Sequence, residues 1–185
     1  PLNSDDITGG VETAVRKNKD LRIFIREDAA TDCAKKEKLL RVRNGLPQSF
    51  YKSDKYNIFR FERFTEICKD FYLVAVDKKE KSAETDRHYY IKKKGFYVAD
   101  DFSEECFAVC FPKRRRDGFV ILTGGAYTGI AGIVNTAKRL WNAPVLSVVG
   151  CFGYTNQSGK LISSQGNITR AAEELLKLRT GSIYT

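Results

Sequence analysis

Three groups of residues in this 185-residue chain have types and spacing that could do chemistry. The first is Thr123-Gly124-Gly125-Ala126-Tyr127-Thr128-Gly129, which follows the apolar run Phe119 to Leu122 and precedes a stretch with helical spacing. Glycines let the backbone turn without a Cβ in the way. Amide groups at a helix start, backed by the helix dipole, favour an anion, and the hydroxyls of Thr123, Tyr127 and Thr128 would add donors. The loop is neither a Walker loop, since no lysine follows at the required place, nor a strict G-x-G-x-x-G.

The second group is acidic: Asp100/Asp101 and Glu104/Glu105. Such pairs can exchange protons or hold Mg²⁺, but neighbours in sequence point in different directions on a regular element. The pattern therefore predicts a solvated helix start, with Ser103 as its cap, and no metal site. The third group is the thiols Cys33, Cys68, Cys106, Cys110 and Cys151 with the single histidine, His88. A closed zinc site needs four ligands, and one histidine supplies few of them. Cys106 and Cys110, four apart, are expected on one helix face as buried small hydrophobes. No catalytic residue is assigned by these patterns.

Elements must position these groups. VETAVRKNKD predicts a short helix, LRIFIRE a strand, and DAATDCAKKEKLLRVRN a helix stopped by Asn44-Gly45. FRFERFTEICKD reads as a helix or extended piece, FYLVAVD as a buried strand, and KKEKSAETDR as a polar hairpin loop. RHYYIKKKGFYVAD supplies two strands around Gly95. CFGYTNQSGKLIS reads as a loop or hairpin, and GNITRAAEELLKLRTG as an amphipathic helix with Asn167 as cap. No internal repeat or low-complexity segment occurs.

Composition sets outer bounds. The 42% hydrophobic content is that of a globular chain, and no run approaches the roughly 18 apolar residues of a membrane-spanning helix. The net charge of +9 comes from clusters at Lys35, Lys36 and Lys38, Lys78, Lys79 and Lys81, Lys92 to Lys94, and Lys113 to Arg116. These fit either a solvated basic surface or polyanionic partners. An odd number of cysteines without scaffold spacing predicts reduced thiols in an intracellular or organellar compartment. The absence of methionine predicts a processed or partial product.

The stretch FVILTGGAYTGIAGIVNTAKRLW with VLSVVGCFGY, residues 119–153, resembles the strand, T-G-G-x-x-T-G, helix, strand segment of the SLOG superfamily, which includes the LOG enzymes. The resemblance implies a Rossmann-like fold and nucleotide-binding roles for Thr123, Gly124, Gly125, Thr128 and Gly129, with NAD, ADP-ribose or AMP as the class of ligand. The P-G-G-x-G-T-x-x-E loop of the LOG enzymes is missing, so their activity does not carry over. A second segment, SSQGNITRAAEELL (163–176), is similar to phycobiliprotein α chains. It implies a basic linker or scaffold subunit among acidic proteins, with bilin attached to a cysteine. The aromatic and basic run YNIFRFERF, with Tyr89, Tyr90 and Lys92 to Lys94, offers a third expectation, single-stranded nucleic acid. The fold expected is α/β: a Rossmann-like half over 94–185 and a basic, aromatic-rich α+β region over 1–93. The function expected first is binding of a nucleotide or similar phosphorylated ligand.

Overall fold

The computed structural model describes residues 7–29, 33–37, 40–44, 48–77, 79, 89–155, 161 and 163–185. They form two compact units, each drawn from two stretches of chain: Pro1–Glu62 with Asp86–Glu104, and Arg63–Thr85 with Glu105–Thr185. The chain passes from one to the other three times, the last between Glu104 and Glu105.

The first unit begins with α1 (Ile7–Lys17), then β1 (Arg22–Arg26), β2 (Cys33–Glu37), β3 (Leu40–Asn44), the short α2 (Gln48–Tyr51) and β4 (Asn57–Phe61). β7 (Tyr89–Lys93) and β8 (Phe96–Ala99) complete it. β1 and β4 pair in parallel, with Phe24 stacked on its register partner Phe59 at 5.2 Å. β3, β2, β7 and β8 make a four-stranded antiparallel sheet in that order. The helix expected over 28–44 is thus two strands. Lysine, alanine and leucine favour helices only weakly, and cross-strand pairing of Ala34 with Arg43 and Tyr90 overrides that preference.

In the second unit, β5 (Phe64–Cys68), β6 (Phe71–Ala75), β9 (Cys106–Cys110), β10 (Phe119–Thr123), β11 (Val145–Gly150) and β12 (Ser182–Tyr184) form one mixed sheet, ordered β12-β11-β10-β9-β6-β5. Pairing is parallel from β10 to β12 and antiparallel from β10 to β5. α3 (Ile130–Trp141) links β10 to β11, and α4 (Gln165–Lys177) links β11 to β12. The apolar core gathers one sheet face, Val74, Phe107, Val109, Ile121 and Val148, against Ile130, Ile133, Val134 and Ala137 of α3 and Leu175 of α4. Each such side chain, fully removed from water, contributes roughly 1.5–3 kcal/mol. Tyr72, Phe111, Phe119 and Trp141 close one edge, with ring centroids 5.4–6.1 Å apart.

This architecture corrects the expected fold class. The chain is not a Rossmann-like α/β half beside an α+β region. It is rich in strands, with a parallel pair and an antiparallel sheet in the first unit and one mixed sheet in the second, and the strand-turn-helix-strand of residues 119–150 belongs to a sheet whose other half is antiparallel. The local pattern extended no further because β5, β6 and β9 pair antiparallel with their neighbours. One local reading changes as well: residues 106–110 are strand β9 rather than helix. FRFERFTEICKD, expected as a helix or an extended piece, is extended and holds the end of β4 and all of β5. Ser164, not Asn167, caps α4, accepting from the Asn167 amide. Most of KKEKSAETDR, with His88, lies outside the described residues. Among the described residues no helix is long and apolar enough to cross a membrane.

Candidate functional site

The Gly-rich turn leaves the C-terminal end of β10. Two of its amides are already engaged: Tyr127 N donates to Glu105 Oε1 at 2.8 Å and Thr128 N to Glu105 Oε2 at 2.7 Å, while the Thr128 hydroxyl donates to the same Oε2. Glu105 is 1% exposed and Thr128 0%. The chain therefore fills its own anion-binding turn with its own carboxylate, and a second anion there would meet that charge in a poorly solvated place. A Cβ on Gly125 would lie 2.4 Å from the Tyr127 ring, and Gly129 (φ 94°) is the N-cap of α3 without a side-chain cap bond. Thr123 is buried, its hydroxyl without a hydrogen-bond partner, and Gly124 has open space beside it. Gly150 (φ 148°) completes the turn's surroundings. A Cβ there would lie 1.9 Å from the Thr123 carbonyl oxygen, so β10 and β11 can approach only over glycine.

One residue upstream, the chain gathers three acids. Asp100, Asp101 and Glu104 each offer a carboxylate oxygen, and these oxygens all lie within 4.8 Å of one another. A reversal in the backbone brings them together. Phe102 takes a left-handed φ of 47° and is 0% exposed, its ring edge-on to Tyr89 at 5.8 Å. Asp100 Oδ1 accepts from Phe102 N at 2.8 Å and Asp101 Oδ1 from Ser103 N at 3.2 Å, two successive turns made by aspartates through their own backbone. Arg26, itself buried, donates to the Ser103 carbonyl at 2.6 Å and pairs with Asp28, tying the loop to the end of β1. The cost of a left-handed phenylalanine, about 1–2 kcal/mol, is offset by the burial of its ring.

The electrostatics follow from this crowding. Asp100 and Glu104 are both buried and Asp101 is exposed. Burial first, and the neighbouring Asp100 charge second, raise the Glu104 carboxyl above the usual carboxylate range. Lys93 approaches Asp101 at 3.8 Å, but both groups are more than half exposed, so that pair is weakly held. The Tyr51 hydroxyl is pushed up to about 12 by burial, then by the charges of Cys33 and Glu104. Negative potential is thus concentrated around Glu104.

The sequence contains these acids as two pairs, and the expected solvated helix start hid their grouping. The structure breaks the second pair, sending Glu104 to the aspartates and Glu105 to the Gly-rich turn. The D-D-F-S-E spacing was a usable signal, because aspartates favour turns through their own backbone and a turn brings residues four apart together. The other expected groups stay apart. No disulfide joins the five cysteines, and Cys106 and Cys110 share one face of β9 rather than of a helix. Lys92, Lys93, Lys94 and Lys113 to Arg116 are exposed.

No family model matches the sequence, and no curated protein is similar to it. Among solved structures, a metal-dependent hydrolase of the beta-lactamase superfamily superposes with a TM-score of 0.67 over 88% of this chain, at 22% identity. The likeness is one of fold. The chain spans 58% of that hydrolase's length. This fold, together with the absence of any family match, overturns the resemblances to the SLOG superfamily and to phycobiliproteins. The nucleotide-binding and linker readings that came with them fall too. For the turn itself the physical reason is Glu105.

Proposed function

We propose that this chain belongs to a metal-dependent hydrolase and that Asp100, Asp101 and Glu104 hold its hard divalent cation. The observation that carries the reading is the grouping of three carboxylate oxygens within 4.8 Å, two of the carboxylates buried. Buried like charges are costly side by side, and a cation relieves that cost better than the proton toward which burial already drives Glu104. The donor set fits Mg²⁺, Mn²⁺ or Ca²⁺, which take oxygen ligands, rather than an imidazole-rich zinc centre, for which one histidine is too few. The fold likeness to a metal-dependent hydrolase supports the reaction class.

When bound, such a cation supplies Lewis acidity and a more acidic water. The chain's own residues do the rest. The Phe102 and Ser103 amides hold one oxygen of each aspartate and so orient the carboxylates. Arg26 fixes the loop backbone through the Ser103 carbonyl. Lys93, paired only weakly with Asp101, can exchange that partner for an anionic group of a substrate.

Titration of the chain with Mn²⁺, followed by calorimetry, tests the binding. One site with a Kd between about 10 µM and 1 mM is expected. Hydrolysis of activated carboxylate and phosphate esters in Mn²⁺ tests the reaction: turnover that needs the metal and is lost in Glu104→Gln is expected. Turnover indifferent to chelator contradicts it.

A further inference from the structure

The hairpin of β7 and β8 carries a pattern that the carboxylate loop does not use. Residues 89–99 include three lysines, three tyrosines and no aspartate or glutamate. Lys93 pairs with Phe96, so Lys94 and Gly95 alone make the turn, with φ of 51° and 89°. A two-residue turn with both φ positive suits asparagine and glycine. A lysine held there keeps charge at the tip against its backbone preference. Pleating sorts the other residues. Tyr90 with its partner Ala99, and Lys92 with its partner Tyr97, share one face; Ile91, Lys93, Phe96 and Val98 share the other. Tyr89 also lies on that other face, edge-on to the buried Phe102, which removes it from the residues expected to meet single-stranded nucleic acid. On the first face Lys92 and Ala99 are exposed and both tyrosines half-buried. The Lys92 ammonium lies over the Tyr97 ring, 5.9 Å from its centroid.

We propose that this face binds single-stranded nucleic acid. A nucleotide presents an anion and a flat ring together, and Lys92 beside Tyr97 sets an ammonium next to an aromatic face in the same way. Tyr90, diagonal to Tyr97 across the ladder, offers a second ring about 7–8 Å away, and the small Ala99 leaves room beside it. Lys93 is drawn to Asp101 at 3.8 Å, so Lys92 and Lys94 supply the phosphate contacts. The net charge of +9 attracts a polyanion from a distance. A duplex keeps the faces of its bases stacked on one another, so the rings favour a single strand. An anionic bilayer would meet the tip, where Phe96 is 76% exposed and on the opposite face. The tyrosines lie up the strands from that tip, where a flexible chain can follow and a flat surface cannot.

Fluorescence anisotropy of a labelled oligothymidylate of about 12 nucleotides, titrated with the whole chain in EDTA, reads the binding. The chelator separates this surface from the cation site, whose failure would leave the result unchanged. Saturation with a Kd of about 10–100 µM is expected at low salt, and log K should fall with log salt at a slope of roughly −1.4 for two phosphate contacts. Tyr97→Leu keeps an apolar side chain but removes the aromatic face, and lowers affinity about fivefold or more with the slope retained. Lys92 and Lys94 are exposed, so their variants keep the fold. Lys92→Gln weakens binding and brings the slope to about −0.7; Lys94→Asn does the same while raising Tm, because asparagine suits the turn. Phe96→Ala changes affinity less than about twofold. A chain that does not saturate by about 500 µM overturns the proposal. So does a duplex bound as tightly as the single strand, displacement of the oligonucleotide by phosphatidylserine vesicles at equal anion concentration, or dependence on Phe96 in place of Tyr97.

Discussion

Glu104 and Glu105 are adjacent, both buried, and opposite in circumstance. Glu105 accepts two amides and a hydroxyl from the turn of the second unit; Glu104 faces two aspartates in the first. A buried carboxylate with its donors in place holds structure together. One crowded by like charge is costly to keep ionised. The comparison teaches that the feature resembling a ligand site, the Gly-rich turn, is already filled from within. The feature resembling ordinary surface acid has the electrostatics of a binding site.

Removing the donors' partner breaks the comparison most severely. Glu105→Ala leaves the Tyr127 and Thr128 amides without their acceptor in a buried place, and we expect a loss of about 3–5 kcal/mol, read from the urea midpoint. Gly150→Ala forces β10 and β11 apart and costs about 3 kcal/mol by the same measurement. Glu104→Gln has the opposite sign from the first. By relieving like-charge crowding it leaves the metal-free chain as stable or more stable by up to about 1 kcal/mol, while losing the metal. Thr123→Val replaces a buried hydroxyl without a hydrogen-bond partner by a methyl and is neutral or stabilising by about 0.5 kcal/mol, seen as a small rise in Tm.

The smallest effect is a control away from both regions. The Lys79 amide bonded to Asp77, with the nearby charge of Arg139, lowers the Asp77 carboxyl below its ordinary value. A depressed acid stabilises the fold above its unfolded pKa and loses that contribution as pH falls through the folded one. Asp77→Asn should therefore cost under about 1 kcal/mol at pH 7 and nothing in strong acid, measured by denaturation at both.

Some of this was legible in the residues. The alternation of Leu21, Ile23 and Ile25, the run FYLVAVD, the two strands around Gly95 and the helices after Thr128 and Ser164 follow from local pattern, and the structure contains them. The sheet order was not legible, because β6 and β9 pair across more than thirty intervening residues and nothing local records that. The basic strands β2 and β3 were hidden by helix-favouring composition. The site was half legible. Its acids stood out, but their grouping depends on a left-handed Phe102, a conformation held by burial rather than by phenylalanine's own preference. Nor did the Gly-rich turn announce Glu105, which lies on another strand's approach.

The central claim is the cation site proposed for the carboxylate loop. Calorimetric titration of wild-type chain and Glu104→Gln with Mn²⁺ tests it most directly. The account predicts one saturable site in the wild type, weakened at least tenfold in the variant, whose fold and Tm are retained. Absence of saturable binding by the wild type, or equal binding by both, would contradict it.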